Sequence, residues 1–345
     1  MKSLPDFLAR IKPWYQHHPY AIAAGVVICV ISVVTICWPS STLSGITPEE
    51  QARRDSLALH VAFMPVADCL PFYYAERTGI YDELGLDLRI LTLQAQLDTD
   101  TALLRGHAEL VYSDLIRAIM LQQAGTEGLR AVASTDAELT LVTAHKGRVS
   151  RLTQLRERMV AVARHSITDY WSDRLMDTAH MAQTDIFRPQ INDVRVRTDM
   201  LCNGTMDAAF LCEPFLSEAL LRGNRKNFET HGLQPRLGAF LVPTRVLNDT
   251  NRKEQLQLLF KGYELAVQQL NQGRRDSIPS LLRSLCSTPD SLIDSVSMRL
   301  PHFTPLTAPR QADAEAALQW LMSRSKAPKD YSLDTLISPI FFSAK

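Results

Sequence analysis

The chain has 345 residues, room for about two domains of ordinary size. Apolar residues make up 46% and charged residues 21%, the balance of a globular rather than a disordered protein. Thirty-seven Lys and Arg against 37 Asp and Glu leave no formal net charge, which excludes the broad basic surface of a nucleic-acid-binding protein.

The N-terminus comes first in chain order. Ala21–Trp38 is an uncharged apolar run, AIAAGVVICVISVVTICW, of 18 residues. That reaches the lower limit for a membrane span, about 17 residues, and exceeds a signal-peptide core of ~7–15. Lys2, Arg10 and Lys12 precede it, and no Lys or Arg follows until Arg53. The charge asymmetry places residues 1–20 in the cytoplasm and everything after Trp38 outside it, in the periplasm or extracytoplasmic space. An uncleaved single-pass anchor in the plasma membrane is preferred over a cleaved signal peptide, a lipoprotein signal ending at Cys37, or a buried core helix. Residues 39–56, rich in Ser, Thr, Pro and Glu, read as a tether.

From Leu57 onward short β-prone runs alternate with helical stretches, the pattern of an α/β fold with a parallel or mixed sheet. Strands are expected at Leu59–Phe63, Asp87–Leu93, Ala108–Tyr112, Arg130–Ala133, Leu139–Ala144, Met159–Ala163, Asp193–Val196, Ala208–Leu211 and Gly238–Pro243. Helices are expected at Pro71–Thr78, Thr99–Arg105, Leu115–Gln123, Leu152–Glu157, Asp169–Ala179, Met200–Gly204, Pro214–Leu221, Asn251–Gln272 and Asp313–Ser325. In the long helix from Asn251, Leu256, Leu259, Phe260, Tyr263, Val267 and Leu270 recur at helical spacing, a packing stripe.

The chain also echoes itself. Leu103–Asp114 and Leu201–Pro214 both run helix, glycine stop, acidic residue, apolar strand, polar loop, helix. Gly106 and Gly204, Glu109 and Asp207, and Tyr112 and Phe210 share one offset of 98 positions. Two readings stay open: unrelated αβ units, or two similar lobes facing across a cleft.

The six cysteines, Cys29, Cys37, Cys69, Cys202, Cys212 and Cys286, include no CxxC pair and no accompanying His cluster. No metal or cofactor site is expected from them; they read as small buried residues with room for one disulfide. The chain lacks GxSxG, P-loop and HExxH patterns, so no catalytic constellation emerges and a non-enzyme is expected.

The unit VAFMPVADCLPFYYAERTGIYDELGLDLRI resembles the opening of type II extracytoplasmic solute-binding proteins of ABC importers. It is most similar to their sulfonate, taurine, nitrate and thiamine-pyrimidine-precursor group, SsuA-like and THI5/NMT1-like. Gly79–Leu88 follows that group's GxFxxxGLDV pattern, and Val160–Tyr170 echoes its VAVPxGSTxHY strand and loop. Asp207-Ala208-Ala209-Phe210-Leu211-Cys212-Glu213-Pro214 follows its DAA–apolar–WEP element, with Cys212 in the usual aromatic place. The resemblance covers roughly Leu57 to Ser338. It implies a two-lobed periplasmic-binding-protein-like fold over residues 57–338 with a helical C-terminal extension. Lobe one is expected at about 57–145 plus the C-terminal helices and lobe two at about 146–245, with 339–345 as a tail. It further implies a small organic or anionic ligand, sulfonate, nitrate or aminopyrimidine-like, and ABC permease and ATPase partners. Enzymes on the same fold, a lyase of menaquinone biosynthesis or a pyrimidine-precursor synthase, and a ligand-free sensory domain are the alternatives.

In such a fold ligand contacts come from loops after the strands. Asp68, Cys69, Phe72 and Tyr73 follow the first strand. Asp68 either accepts hydrogen bonds from a ligand amine or pyrimidine or shapes the turn. Gln94 follows the second strand, Ser113 and Asp114 the third, Ser134 and Thr135 the next. Arg164, His165, Ser166 and Thr168 form a loop before a helix, suited to an anion or serving as an ordinary cap. Glu213 stands at the matching point of the second unit, to pair with a ligand cation or to cap a helix.

Overall fold

The computed structural model describes residues 47–126, 128–147, 149–328 and 331–342. The expected cytoplasmic segment and apolar span, residues 1–38, lie outside the described residues, as does the first part of the tether, residues 39–46. Among the described residues no helix is long and apolar enough to cross a membrane. The end of the tether is not irregular: Pro48–Leu57 forms helix α1. Thr47 Oγ1 accepts the Glu50 N–H at 3.2 Å, and Glu49 and Glu50 occupy the first turn. Those are helix-start signals that a compositional reading as a tether passed over.

From Leu57 the chain builds two sheets. The first has the order β2-β1-β3-β9-β4, made of β1 (Leu59–Phe63), β2 (Leu88–Thr92), β3 (Leu110–Asp114), β4 (Leu129–Thr135) and β9 (Gly238–Pro243). β1 runs parallel to β2 and β3, while β9 is antiparallel to β3 and β4. Parallel neighbours need crossovers. These are α2 (Leu70–Arg77) with α3 (Ile80–Glu83), then α4 (Gln96–Leu104). Helix α5 (Leu115–Gln123) follows β3 without a gap.

The second sheet has the order β6-β7-β5-β8, made of β5 (Thr140–Thr143), β6 (Val160–Ala161), β7 (Ala208–Leu211) and β8 (Arg225–Glu229). Helices α6 (Ile167–Thr178), α7 (Val194–Asn203) and α8 (Phe215–Leu221) connect its strands. The chain therefore crosses between sheets twice, at residues 136–139 and 230–237. This moves the expected lobe limits. Thr140–Thr143 pairs with β7 and β8 and belongs to the second sheet, and Gly238–Pro243 returns to the first. Apolar runs show that a strand exists but not which strand it pairs with.

The internal echo is structural. Glu109 precedes β3, and its Oε2 accepts the N–H of His60 on the parallel neighbour β1 at 2.7 Å. Asp207 precedes β7, and its Oδ2 accepts the N–H of Met159, next to the parallel neighbour β6, at 2.9 Å. Each acidic residue ties off the start of an adjacent strand. Gly106 and Gly204 turn the chain at φ 71° and 83°, the left-handed region open to glycine.

Two expectations fail locally. Asp193–Val196 is not a strand: the Asp193 carboxylate accepts the Val196 N–H at 2.9 Å and starts α7. β8 was missed because its sequence RKNFE lacks an apolar alternation. After β9 come α9 (Thr244–Asn248), α10 (Thr250–Asn271), α11 (Ile278–Cys286), α12 (Ile293–Arg299) and α13 (Gln311–Ser323). All six stripe residues of α10 are buried against the first sheet's core. Each contributes on the order of 1.5–3 kcal/mol of hydrophobic stabilisation.

Candidate functional site

A small cavity of about 50 Å³ lies between the lobes, where strands of both sheets end. Lobe one supplies Asp68, Gln96, Tyr112, Ser113 and Asp114; lobe two supplies Ser166, Ile167, Thr168, Asn192, Arg197 and Cys212. Ala137, Leu139 and Gly238, at the two crossings, complete the wall.

Of the residues singled out in the sequence, Asp68, Ser113, Asp114, Ser166 and Thr168 line this cavity. His165 lies beside it, in an opening of about 200 Å³ shared with Arg117, Arg164 and Gln190. Six others do different work. Cys69, Phe72 and Tyr73 are core residues. The Phe72 ring packs on Phe63 and Tyr263, each at 4.6 Å between centroids, and the Tyr73 hydroxyl donates to the Phe63 carbonyl at 3.1 Å. Helix α2 turns these aromatics inward because Leu70–Ala75 is buried on every side. The Gln94 amide donates to the Leu285 carbonyl at 3.0 Å, and the Ser134 hydroxyl to the Gly238 carbonyl at 2.9 Å. The Glu213 carboxylate accepts the N–H and hydroxyl of Ser217, at 3.0 and 2.9 Å, as the cap of α8.

Asp68 accepts the Tyr112 hydroxyl at 2.6 Å. Burial, with help from the charges of Asp136 and Glu138, pushes its carboxyl up to about 6. Asp114 is held more firmly. It accepts the Arg117 N–H at 2.8 Å as the N-cap of α5, and the Gln96 amide and the Ile167 N–H at 2.9 Å each. Burial outweighs these hydrogen bonds and pushes this carboxyl to about 6 as well.

Ser166 and Thr168 shape their loop rather than present free hydroxyls. The Ser166 hydroxyl donates to the Ala163 carbonyl at 2.7 Å, and Thr168 Oγ1 accepts the Ala163 N–H at 2.9 Å. His165 sits at φ 54°, its own N–H donating to Asp169 at 2.9 Å. Burial lowers the His165 pKa; Asp169 opposes this, and Lys326, Arg117 and Arg324 add to it.

The residue missed in the sequence is Arg197. It is 4% exposed, and its Nη1 donates to the Ile191 carbonyl at 2.8 Å. Its Nε has no hydrogen-bond partner, and no carboxylate lies within 4.0 Å of it among the described residues. Its neighbour Arg195 is fully engaged, by Asp199 and Glu218 at 2.6 Å each. Burial lowers the Arg197 pKa. One signal was available: VRVR places two basic residues in the first half of a helix, against the helix dipole, where at least one needs another purpose. Reading that stretch as a strand concealed it.

Cys212 lies electrostatically between the two ends of the cavity. Burial, the dominant cause, and the Asp68 charge push its thiol up, against Arg197, to about 12. Burial likewise holds the Cys69 thiol well above its ordinary value. Cys69, Cys202, Cys212 and Cys286 are all free thiols, so Cys69 and Cys212 are not paired. Among the described residues no cluster of three His, Cys, Asp or Glu is placed to hold a metal.

This arrangement of two αβ lobes with a polar cavity at the strand ends agrees with the comparisons. Residues 66–224 match the NMT1/THI5-like family. The matched span runs from the cavity loop after β1 to the end of α8, and includes Asp68, Asp114, Arg197 and Cys212. No curated protein matches the chain. The periplasmic aliphatic sulphonate-binding protein SsuA of Escherichia coli superposes at a TM-score of 0.64 with 19% identity, over 81% of this chain and 97% of its own. The alkanesulfonate-binding SsuA of Xanthomonas axonopodis pv. citri, bound to MOPS, gives 0.65 and 19% over 79% and 95%. The nitrate-binding protein NrtA of Synechocystis PCC 6803 gives 0.66 and 13% over 81% and 84%. At these identities the likenesses establish the fold: a two-lobed α/β fold of the periplasmic-binding-protein kind.

Proposed function

We propose that the chain is the membrane-anchored extracytoplasmic solute-binding protein of an ABC importer, and that its lobes close on a small organic solute bearing an acidic group. The observation that carries the reading is Arg197. A buried guanidinium with an unpartnered Nε–H on a cavity wall is costly unless an anion satisfies it. Asp68, with Tyr112 at the other end, suits a hydrogen-bond donor on the solute, an amine or amino group. Ser113, Ser166 and Thr168 form the walls, His165 stands at the mouth, and the importer's permease and ATPase are the partners. The apolar run 21–38 supports the anchor and the export of the body. The family match supports this role, and burial holds the Cys69 and Cys212 thiols protonated, unlike an activated thiol nucleophile.

Thermal-shift screening of the full chain against sulfonates, nitrate and aminopyrimidines tests the reading. A solute present at a hundred times its Kd stabilises by about 2.7 kcal/mol. A folded protein that shifts with no member of the panel overturns it.

The cavity carboxyls add a pH signature. Asp68 and Asp114 both titrate at about 6. Above that pH their charges oppose an incoming anion, and below it both are neutral. A solute carrying an acid but no amine should therefore bind more tightly as pH falls from 7.5 to 5. The gain is up to roughly thirtyfold where binding requires one neutral carboxyl. Calorimetric titration at the two pH values checks this, and an affinity that is flat or rises with pH contradicts it.

A further inference from the structure

We propose that Asp114 is a built-in latch: a carboxylate fixed on lobe one holds the lobes together by capping helix α6 of lobe two. The first turn of α6 sets up the contact. Ser166 Oγ accepts the Thr168 N–H at 3.2 Å, and the Ser166 carbonyl accepts the Asp169 N–H at 3.0 Å. The Ile167 N–H is the donor that α6 leaves for an outside acceptor, and Asp114 Oδ2 takes it at 2.9 Å. A carboxylate at a helix N-terminus gains from both the hydrogen bond and the dipole. The acceptor is already oriented before the lobes meet. Its Oδ1 is held by the Arg117 N–H at 2.8 Å, and Gln96 donates to Oδ2 at 2.9 Å, both from lobe one.

The latch has a consequence for specificity. The N-terminus of α6 is where the sequence pointed to a ligand anion, and the protein's own carboxylate occupies it. The acidic group of a solute is directed instead to Arg197, on α7.

Two further backbone bonds cross between the lobes and report closure without touching the latch. The Ala67 N–H donates to the Glu213 carbonyl at 2.8 Å, and the Val194 N–H to the Gln94 carbonyl at 3.0 Å. Hydrogen exchange at Ala67 and Val194 in the full ligand-free chain therefore reads opening. Two variants break the latch from opposite sides. D114N keeps an oxygen for the α5 cap but turns an amide N–H₂ toward the Ile167 N–H and Gln96. I167P deletes the donor at the first residue of α6, where proline is well tolerated. The preceding residue Ser166 has φ −135° and ψ 179°, compatible with a following proline. Each variant should speed exchange at Ala67 and Val194 about tenfold, while amides inside β1 and β7 keep their protection. The double variant should add little beyond either single one. Unchanged exchange at both reporters in I167P overturns the proposal. So does acceleration in D114N alone, which would assign the effect to lost charge rather than to the bond.

Discussion

Replacing Arg197 by methionine is expected to raise the melting temperature of the ligand-free protein while abolishing capture of acid-bearing solutes. The two effects share one cause. Arg197 is 4% exposed, has one carbonyl acceptor at 2.8 Å and an Nε with none. A charge buried with so little compensation costs several kcal/mol. Methionine fills a similar volume and adapts to irregular walls, and exchanging buried charge for a packed apolar side chain stabilises by about 1–4 kcal/mol. In a chain of this size that is a rise of several degrees, at about 2–4 °C per kcal/mol or slightly less. The same change removes the only guanidinium lining the cavity among the described residues. Loss of a desolvated charge partner costs about 2–5 kcal/mol of binding, at least thirtyfold and up to several thousandfold. Calorimetric melting alongside titration separates the two outcomes. A variant that melts lower than wild type would mean Arg197 is a structural residue with partners that methionine cannot replace.

Gly238 is the second position with a large expected effect. It opens β9, directly after the second crossing between the lobes, and its register partners are Asp114 on one side and Thr135 on the other. A Cβ built there falls 2.2 Å from Thr135 Oγ1 and 2.6 Å from the Ala137 Cβ. The Thr135 hydroxyl is able to rotate away, but Ala137 Cβ is fixed by the backbone of the first crossing. Relief requires β4 and β9 to part where both crossings meet the cavity wall. G238A should therefore cost about 1–3 kcal/mol in stability, as overpacked cores do. It should also weaken solute capture, since Asp114 lies opposite Gly238 in register with the displaced strand. Melting and titration of the purified variant check both. Wild-type stability together with wild-type affinity would show that the two crossings tolerate being wedged apart.

The fold was largely legible because its signals are local. Alternating apolar runs, glycine stops and the α10 stripe each depend on neighbours in sequence. The echo between Leu103–Asp114 and Leu201–Pro214 even exposed the shared device of an acidic residue tying off an adjacent parallel strand. Pairing partners were less legible, so Thr140–Thr143 and Gly238–Pro243 were placed in the wrong lobes. The site was legible in part, for a physical reason. Loop position after a strand identifies candidates but not side-chain direction. Phe72 and Tyr73 come only a few residues after Asp68, yet α2 turns them into the core while Asp68 faces the cavity. Glu213 found its donors in the turn it caps, and Ser134 found its acceptor on the neighbouring strand β9. Arg197 stands on a helix whose first residues were expected to be a strand, and its role comes from what its Nε lacks, a partner, which only the packed structure reveals.

Isothermal titration of the full chain, wild type and R197M side by side, against small sulfonates, nitrate and aminopyrimidines most directly tests closure of the two lobes on a solute held by Arg197. The expected result is one-to-one binding of at least one acid-bearing solute at micromolar affinity by the wild type, lost in R197M. Equal affinity in the two proteins, or no heat of binding across the panel from folded wild-type protein, would contradict it.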